Sequence, residues 1–151
     1  MIDYPFSKPV PSLQTLIGFD VGMRRTGVAV GQCLTWSAQP LKILLSPQGQ
    51  IADREITQLI TEWQPSAFVI GYPLQADGSM TMVTPKVIQL AEQLADHAPV
   101  YACDEYLSSH AAREYIEEHQ LKRSAKQPID DIAACIILQS WFSDYRLSQS
   151  Q

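Results

Sequence analysis

The chain has 151 residues, of which 46% are apolar and 18% charged, and it carries a net charge of −5. That is enough apolar material for one globular domain with its own core, and it excludes a disordered chain. No apolar run approaches the roughly 20 residues that span a bilayer, and the acidic balance leaves no broad basic footprint for nonspecific nucleic-acid binding.

In chain order, the first twelve residues, with three prolines and few anchors, read as a flexible arm without an apolar signal core. A single domain is expected over residues 13–146, followed by a short flexible tail over residues 147–151. Leu16 to Val21 and Gly27 to Gln32 read as two strands around a turn at Gly22 to Thr26, and Pro40 to Leu45 as a third. Ile56, Leu59, Ile60 and Trp63 fall at helical spacing, and Pro65 closes that helix. "AFVIGYP" is a nearly continuous apolar run, as a strand covered on both faces requires.

Thr84-Pro85 is a helix start with Thr84 as cap, and Val87, Ile88, Ala91, Leu94 and Ala95 then share a face. "PVYACDE" is a further strand, and Ser108 or Ser109 can cap a helix through about His119. After the polar link "LKRSAKQ", Pro128 opens a last helix with Ile132, Ala133, Ile136, Ile137 and Leu138 mostly inward. Three hairpin-joined strands followed by alternating helices and strands predict an α/β fold, a mixed sheet with helices on both faces. Cys33, Cys103 and Cys135 are far apart and in apolar surroundings, which fits reduced thiols in a cytoplasmic protein rather than disulfides or a zinc site.

Acids stand at the ends of elements that such a fold gathers on one edge. Asp20 ends the first strand, Asp104 and Glu105 end the last, and Asp130 and Asp131 open the final helix. Carboxylates meeting there would repel one another, and hard divalent ions such as Mg²⁺ or Mn²⁺ prefer such oxygen ligands. Two ions about 4 Å apart would clamp the attacking and leaving oxygens of a phosphodiester. Gly22 would let the turn approach substrate closely, Arg24 and Arg25 could hold flanking phosphates, and Tyr72 and Tyr106 could stack on bases.

Each residue also has a plainer role open to it. Asp20 could be a turn residue, Asp130 and Asp131 could favour a helix dipole, and the two arginines could blunt an exposed hairpin. His97 and His119 read as exposed helix-end residues, and His110 lies nearer the acids. Ala133 and Ala134 would let the last helix sit close to the sheet.

Four motifs in order, "FDVGMRRTGVAVGQ", "VIGYPLQADGS", "CDEYLSSHAA" and "IDDIAACIILQSW", carry a resemblance to a known family over about Leu16 to Tyr145. The chain resembles the YqgF family, also called RuvX: Holliday-junction-resolvase-like proteins of the ribonuclease H superfamily. The resemblance implies a ribonuclease H-like fold and a cytoplasmic, metal-dependent nuclease using Mg²⁺ or Mn²⁺. Its catalytic acids would be Asp20, Glu105 and Asp130, with Asp104 beside them and Asp131 ranked lower. The implied role is processing the 5′ end of the small-subunit ribosomal RNA precursor, with ribosomal precursor particles as partners and RNA ahead of DNA as substrate. Resolution of DNA four-way junctions and a non-catalytic RNA- or protein-binding module are the alternatives, and either a monomer or a homodimer is compatible. Tyr106 and Ser109 replace the arginine and threonine usual in the family, and Met23 replaces a small or hydroxyl residue. These departures touch substrate contacts, not the acids. An actin-like ATPase would share the core but needs a second related domain, for which this chain is too short.

Overall fold

A computed structural model describes residues 14–72, 81–103, 117 and 128–149. Within them the chain forms β1 (Thr15–Asp20), β2 (Arg25–Gln32), β3 (Ser37–Leu45), a short 3-10 turn (Pro47–Gly49), α1 (Asp53–Trp63), β4 (Ala67–Gly71), α2 (Thr84–Ala95), β5 (Val100–Cys103) and α3 (Asp130–Gln149). Of the helix expected between Ser108 and His119, Glu117 alone is described, and it is helical. The sheet order is β3-β2-β1-β4-β5. β1, β2 and β3 pair antiparallel, whereas β4 runs parallel to β1 and β5 parallel to β4. This is the mixed sheet that the element order predicts.

β3 starts at Ser37, ahead of the expected Pro40. A proline cannot donate to a ladder, yet it is tolerated here because β3 is an outer strand and the register skips beside it: Val28 faces Lys42 and Ala29 faces Pro40, which leaves Leu41 as a bulge. Thr84 is likewise not a cap but the first helical residue. The residue before the helix is Val83, which offers no side-chain cap; ahead of it the Thr81 hydroxyl accepts the Val83 N–H at 3.3 Å and the Thr84 hydroxyl accepts the Thr81 N–H at 2.9 Å.

Alternation along each strand sorts side chains between two layers. Ile17 and Phe19 of β1, Val28 of β2, Phe68 and Ile70 of β4 and Val100 of β5 pack with Ile56 and Leu59 of α1 and with Val87, Leu90, Ala91 and Leu94 of α2. Leu16, Ala29, Ala67, Val69, Tyr101 and Cys103 face α3 instead. On α3 the buried set is Ile132, Ala134, Cys135, Ile137, Leu138, Trp141, Phe142 and Tyr145, whereas Ala133 and Ile136, expected inward, are half-buried. Apolar residues run all round the helix from Ile132 to Leu138, so periodicity leaves its phase open there. The aromatic residues of the next two turns set it. Trp141 stacks on Tyr101 with ring centroids 5.1 Å apart and on Tyr145 at 4.9 Å. Cys33 is half-buried, Cys103 and Cys135 are buried, and none of the three is in a disulfide. No helix among the described residues is long and apolar enough to cross a membrane.

α3 rests almost directly on the strand backbones. A Cβ at Gly18 would lie 2.5 Å from Leu138, at Gly71 2.5 Å from Ile137, and at Gly31 2.8 Å from Phe142. At Gly27 it would lie 1.7 Å from the carbonyl oxygen of Asp130, the first residue of the helix. A side chain can turn aside, but a backbone carbonyl in the first turn of a docked helix cannot move alone. Gly27→Ala should therefore lower the unfolding free energy by about 2 kcal/mol or more, the range of an overpacked core. Urea unfolding checks this, and an unchanged midpoint would mean that the helix start is not seated on β2.

Candidate active site

β1 ends on Asp20, which lies opposite Gly27 of β2. Asp20 is in phase with Leu16 and Gly18, so its side chain belongs to the α3 face. Because Gly27 has no side chain, the start of α3 comes down beside it, and Asp130 is brought into electrostatic reach of Asp20. The Asp20 carboxyl is pushed up from its ordinary 3.8 to about 7, first by burial and then by the Asp130 charge. Arg25, two residues before Gly27 and in phase with it, donates from Nε to Asp130 Oδ2 at 3.2 Å. The Arg25 and Asp130 side chains are 48% and 26% exposed.

The turn between Asp20 and Arg25 is held from beneath by buried hydroxyls. The Thr26 hydroxyl donates to Ser46 Oγ at 2.9 Å, the Ser46 hydroxyl donates to the Gly22 carbonyl at 2.9 Å, and the Gly22 N–H returns to Thr26 Oγ1 at 3.4 Å. Both hydroxyl residues are fully buried. Backbone bonds from the Ser46 N–H to the Arg24 carbonyl (2.8 Å) and from the Gly49 N–H to the Met23 carbonyl (3.3 Å) complete the clamp. Gly22 has an internal reason to be glycine: its Cβ would sit 2.3 Å from the Arg25 carbonyl oxygen. Arg24 is exposed on the same turn.

Of the residues singled out from sequence, the structure thus gathers Asp20, Gly22, Arg24, Arg25 and Asp130 at one edge. Asp131, ranked lower, is the more buried of the helix-opening acids, at 7% exposure. Tyr72 is half-buried just past β4, where its N–H bonds the Cys103 carbonyl at 2.9 Å and ties the ends of β4 and β5 together. His97 is exposed after α2. Asp104, Glu105, Tyr106, His110 and His119 lie outside the described residues. Sequence reasoning passed over Gly27, Thr26 and Ser46. A glycine inside an apolar strand is a signal of close backbone approach, and it would have been a better guide to the helix position than Ala133 and Ala134. Two hydroxyl residues 20 apart give no such signal.

Among the described residues no three His, Cys, Asp or Glu side chains converge as a metal site, so the described edge offers a pair of carboxylates. The pair suits a hard divalent cation. Both donors are oxygen, and the half-buried Asp20 has no cation bonded to it among the described residues, while Arg25 serves Asp130.

The strand order, with three antiparallel strands leading into two parallel ones and α3 across one face, is that of a ribonuclease H-like fold. Solved structures share it: the chain is similar to Thermus thermophilus RuvC (TM-score 0.53, 14% identity, 88% of this chain and 96% of that one). It is also similar to the fowlpox virus Holliday junction resolvase (TM-score 0.52, 14% identity, 87% and 99%). The model of the RuvX family, described as Holliday junction resolvase, matches residues 14–144, and the chain belongs to that family. Relatives named "Putative pre-16S rRNA nuclease" include those of Hydrogenovibrio crunogenus (39% identity, 89% of this chain, 96% of the relative) and Methylococcus capsulatus (37%, 85% and 88%). A relative of the same name in Pseudomonas paraeruginosa is 35% identical over 88% of this chain and 94% of its own length.

The raised Asp20 group gives the metal-free protein a signature. The unfolded chain loses this proton near 3.8 and the folded protein near 7, so in that window the folded form holds the extra proton. Stability from this group is therefore full below about 3.8, falls as pH rises, and levels off above about 7. The urea midpoint of metal-free Asp20→Asn, compared across the window, should rise relative to that of wild type as pH rises, because only wild type loses this contribution. A difference that stays constant with pH would refute the raised carboxyl.

Proposed function

We propose that this protein is a cytoplasmic, metal-dependent endonuclease that hydrolyses phosphodiester bonds in RNA, acting at the 5′ end of the 16S ribosomal RNA precursor. The observation that carries the proposal is the pairing of Asp20 with Asp130 at the end of β1, built by Gly27, in a chain that aligns over most of its length with relatives bearing the nuclease name. The working unit is the single domain of residues 13–146.

Asp20 and Asp130 would hold Mg²⁺ or Mn²⁺, with Glu105 as the third acid. A divalent cation there supplies an activated water and neutralises charge on the phosphate oxygens. The chain's own contributions are positional. The Thr26–Ser46 clamp holds the Asp20 turn in one place, and exposed Arg24 offers a phosphate contact beside the acids.

The test is a cleavage time course on end-labelled single-stranded RNA spanning a ribosomal precursor leader, with Mn²⁺, beside an Asp20→Asn control and a DNA four-way junction. Wild type should cut the RNA, and Asp20→Asn should lose at least about a hundredfold in rate, the scale of removing an electrostatic stabiliser of the transition state. Cleavage of the junction alone would move the substrate to DNA. Cleavage that survives Asp20→Asn would remove Asp20 from the site, and a folded wild type that cuts neither but binds RNA would be a binding module.

A further inference from the structure

The acidic edge has one bonded cation among the described residues, and that cation is lightly held. Arg25 reaches Asp130 through Nε alone, one of the five donors a guanidinium carries, at 3.2 Å, with 48% of its own side chain and 26% of Asp130 in contact with solvent. Single-point, partly hydrated pairs of this kind are weak. A buried, two-point arginine–carboxylate pair would be a fixed part of the fold; this one is free to exchange. That one bond serves Asp130, and Asp20 has no cation bonded to it among the described residues.

We propose that Arg25 is a displaceable counter-ion. It neutralises Asp130 in the resting protein, gives up that carboxylate when a divalent cation takes over the charge, and turns its freed guanidinium to a phosphate of the bound strand. The inference rests on the metal-nuclease reading and deepens it. Arg25 stands at the first position of β2, in phase with Gly27 and so on the same face as the start of α3, with its backbone pinned by pairing to Leu45 of β3. The backbone therefore stays in place while the long side chain swings between a carboxylate and a phosphate, both of which match its planar donor fork. The protein gains a site that is charge-compensated before metal arrives and a phosphate contact that appears only once it has arrived.

The sign of one effect separates this role from a structural one. Mn²⁺ binding to the folded protein without substrate is read from the free-ion signal in electron paramagnetic resonance, for wild type, Arg25→Gln, Arg25→Lys and Asp20→Asn. A displaced counter-ion competes with metal, so Arg25→Gln should bind Mn²⁺ roughly threefold more tightly, the scale of an exposed ion pair. Arg25→Lys, which keeps the charge, should stay near wild type. If Arg25 instead holds Asp130 in position for metal, Arg25→Gln binds Mn²⁺ more weakly, and the proposal is overturned; equal binding overturns it too. A cleavage-resistant single-stranded oligonucleotide gives the second readout. Arg25→Gln should weaken its binding with Mn²⁺ present and leave it unchanged without, whereas an equal loss in both conditions would contradict release by metal. If wild type and Asp20→Asn take up Mn²⁺ alike, the metal-site reading itself has failed and the counter-ion role falls with it. Binding that depends on Asp20 but is not tightened in Arg25→Gln defeats the counter-ion role alone.

Discussion

The contact on which the site depends is the landing of the first turn of α3 on Gly27. There is no room for even a methyl group between the β2 backbone and the Asp130 carbonyl, and that absence of a side chain sets where the helix begins. Gly18, Gly31 and Gly71 extend the same close approach across β1, β2 and β4. The helix is pressed down at its far end by the Tyr101–Trp141–Tyr145 stack. A helix seated on side chains would stand further from the sheet and carry Asp130 away from the end of β1. The floor beneath the helix and the acidic pair are therefore one construction.

Its electrostatic consequence is a conflict that the fold does not fully resolve. Burial and the neighbouring charge both disfavour the ionised form of Asp20. Arg25 offsets one of the two acids from a partly hydrated position. An ordinary surface would relieve such a conflict by letting the side chains swing apart. Here Asp20 sits on a central strand, its turn is closed by the Thr26–Ser46–Gly22 hydroxyl ring, and Asp130 is fixed by the helix start. Unrelieved like charges held by rigid elements are what a binding site for a multivalent cation requires, and they cost stability when the cation is absent.

Much of the arrangement was legible in the sequence because the strands that matter are buried on both faces. Runs such as "LIGFD" and "AFVIG" are nearly continuous apolar segments, and an acid at the end of such a run stands out. Element order followed from the same runs. What escaped was set by tertiary context. Pro40 is ordinarily a strand boundary, yet an outer position and a bulge let β3 pass through it. Thr84 reads as a cap ahead of Pro85, and only the backbone conformation makes it the first helical residue. The phase of α3 was ambiguous over its uniformly apolar stretch from Ile132 to Leu138. Arg25 read as a phosphate ligand, but in the structure it is bonded to a carboxylate 105 residues away, a pairing no local pattern encodes.

The central claim is that the edge formed by Asp20 and Asp130 is a cation site created by the close seating of α3. The most direct test is the anomalous difference density of a crystal of the protein grown with Mn²⁺. The account predicts a peak ligated by carboxylate oxygens of both Asp20 and Asp130, with Gly27 directly beneath the helix start. Manganese bound elsewhere, or the two carboxylates turned apart with no peak between them under saturating Mn²⁺, would contradict it.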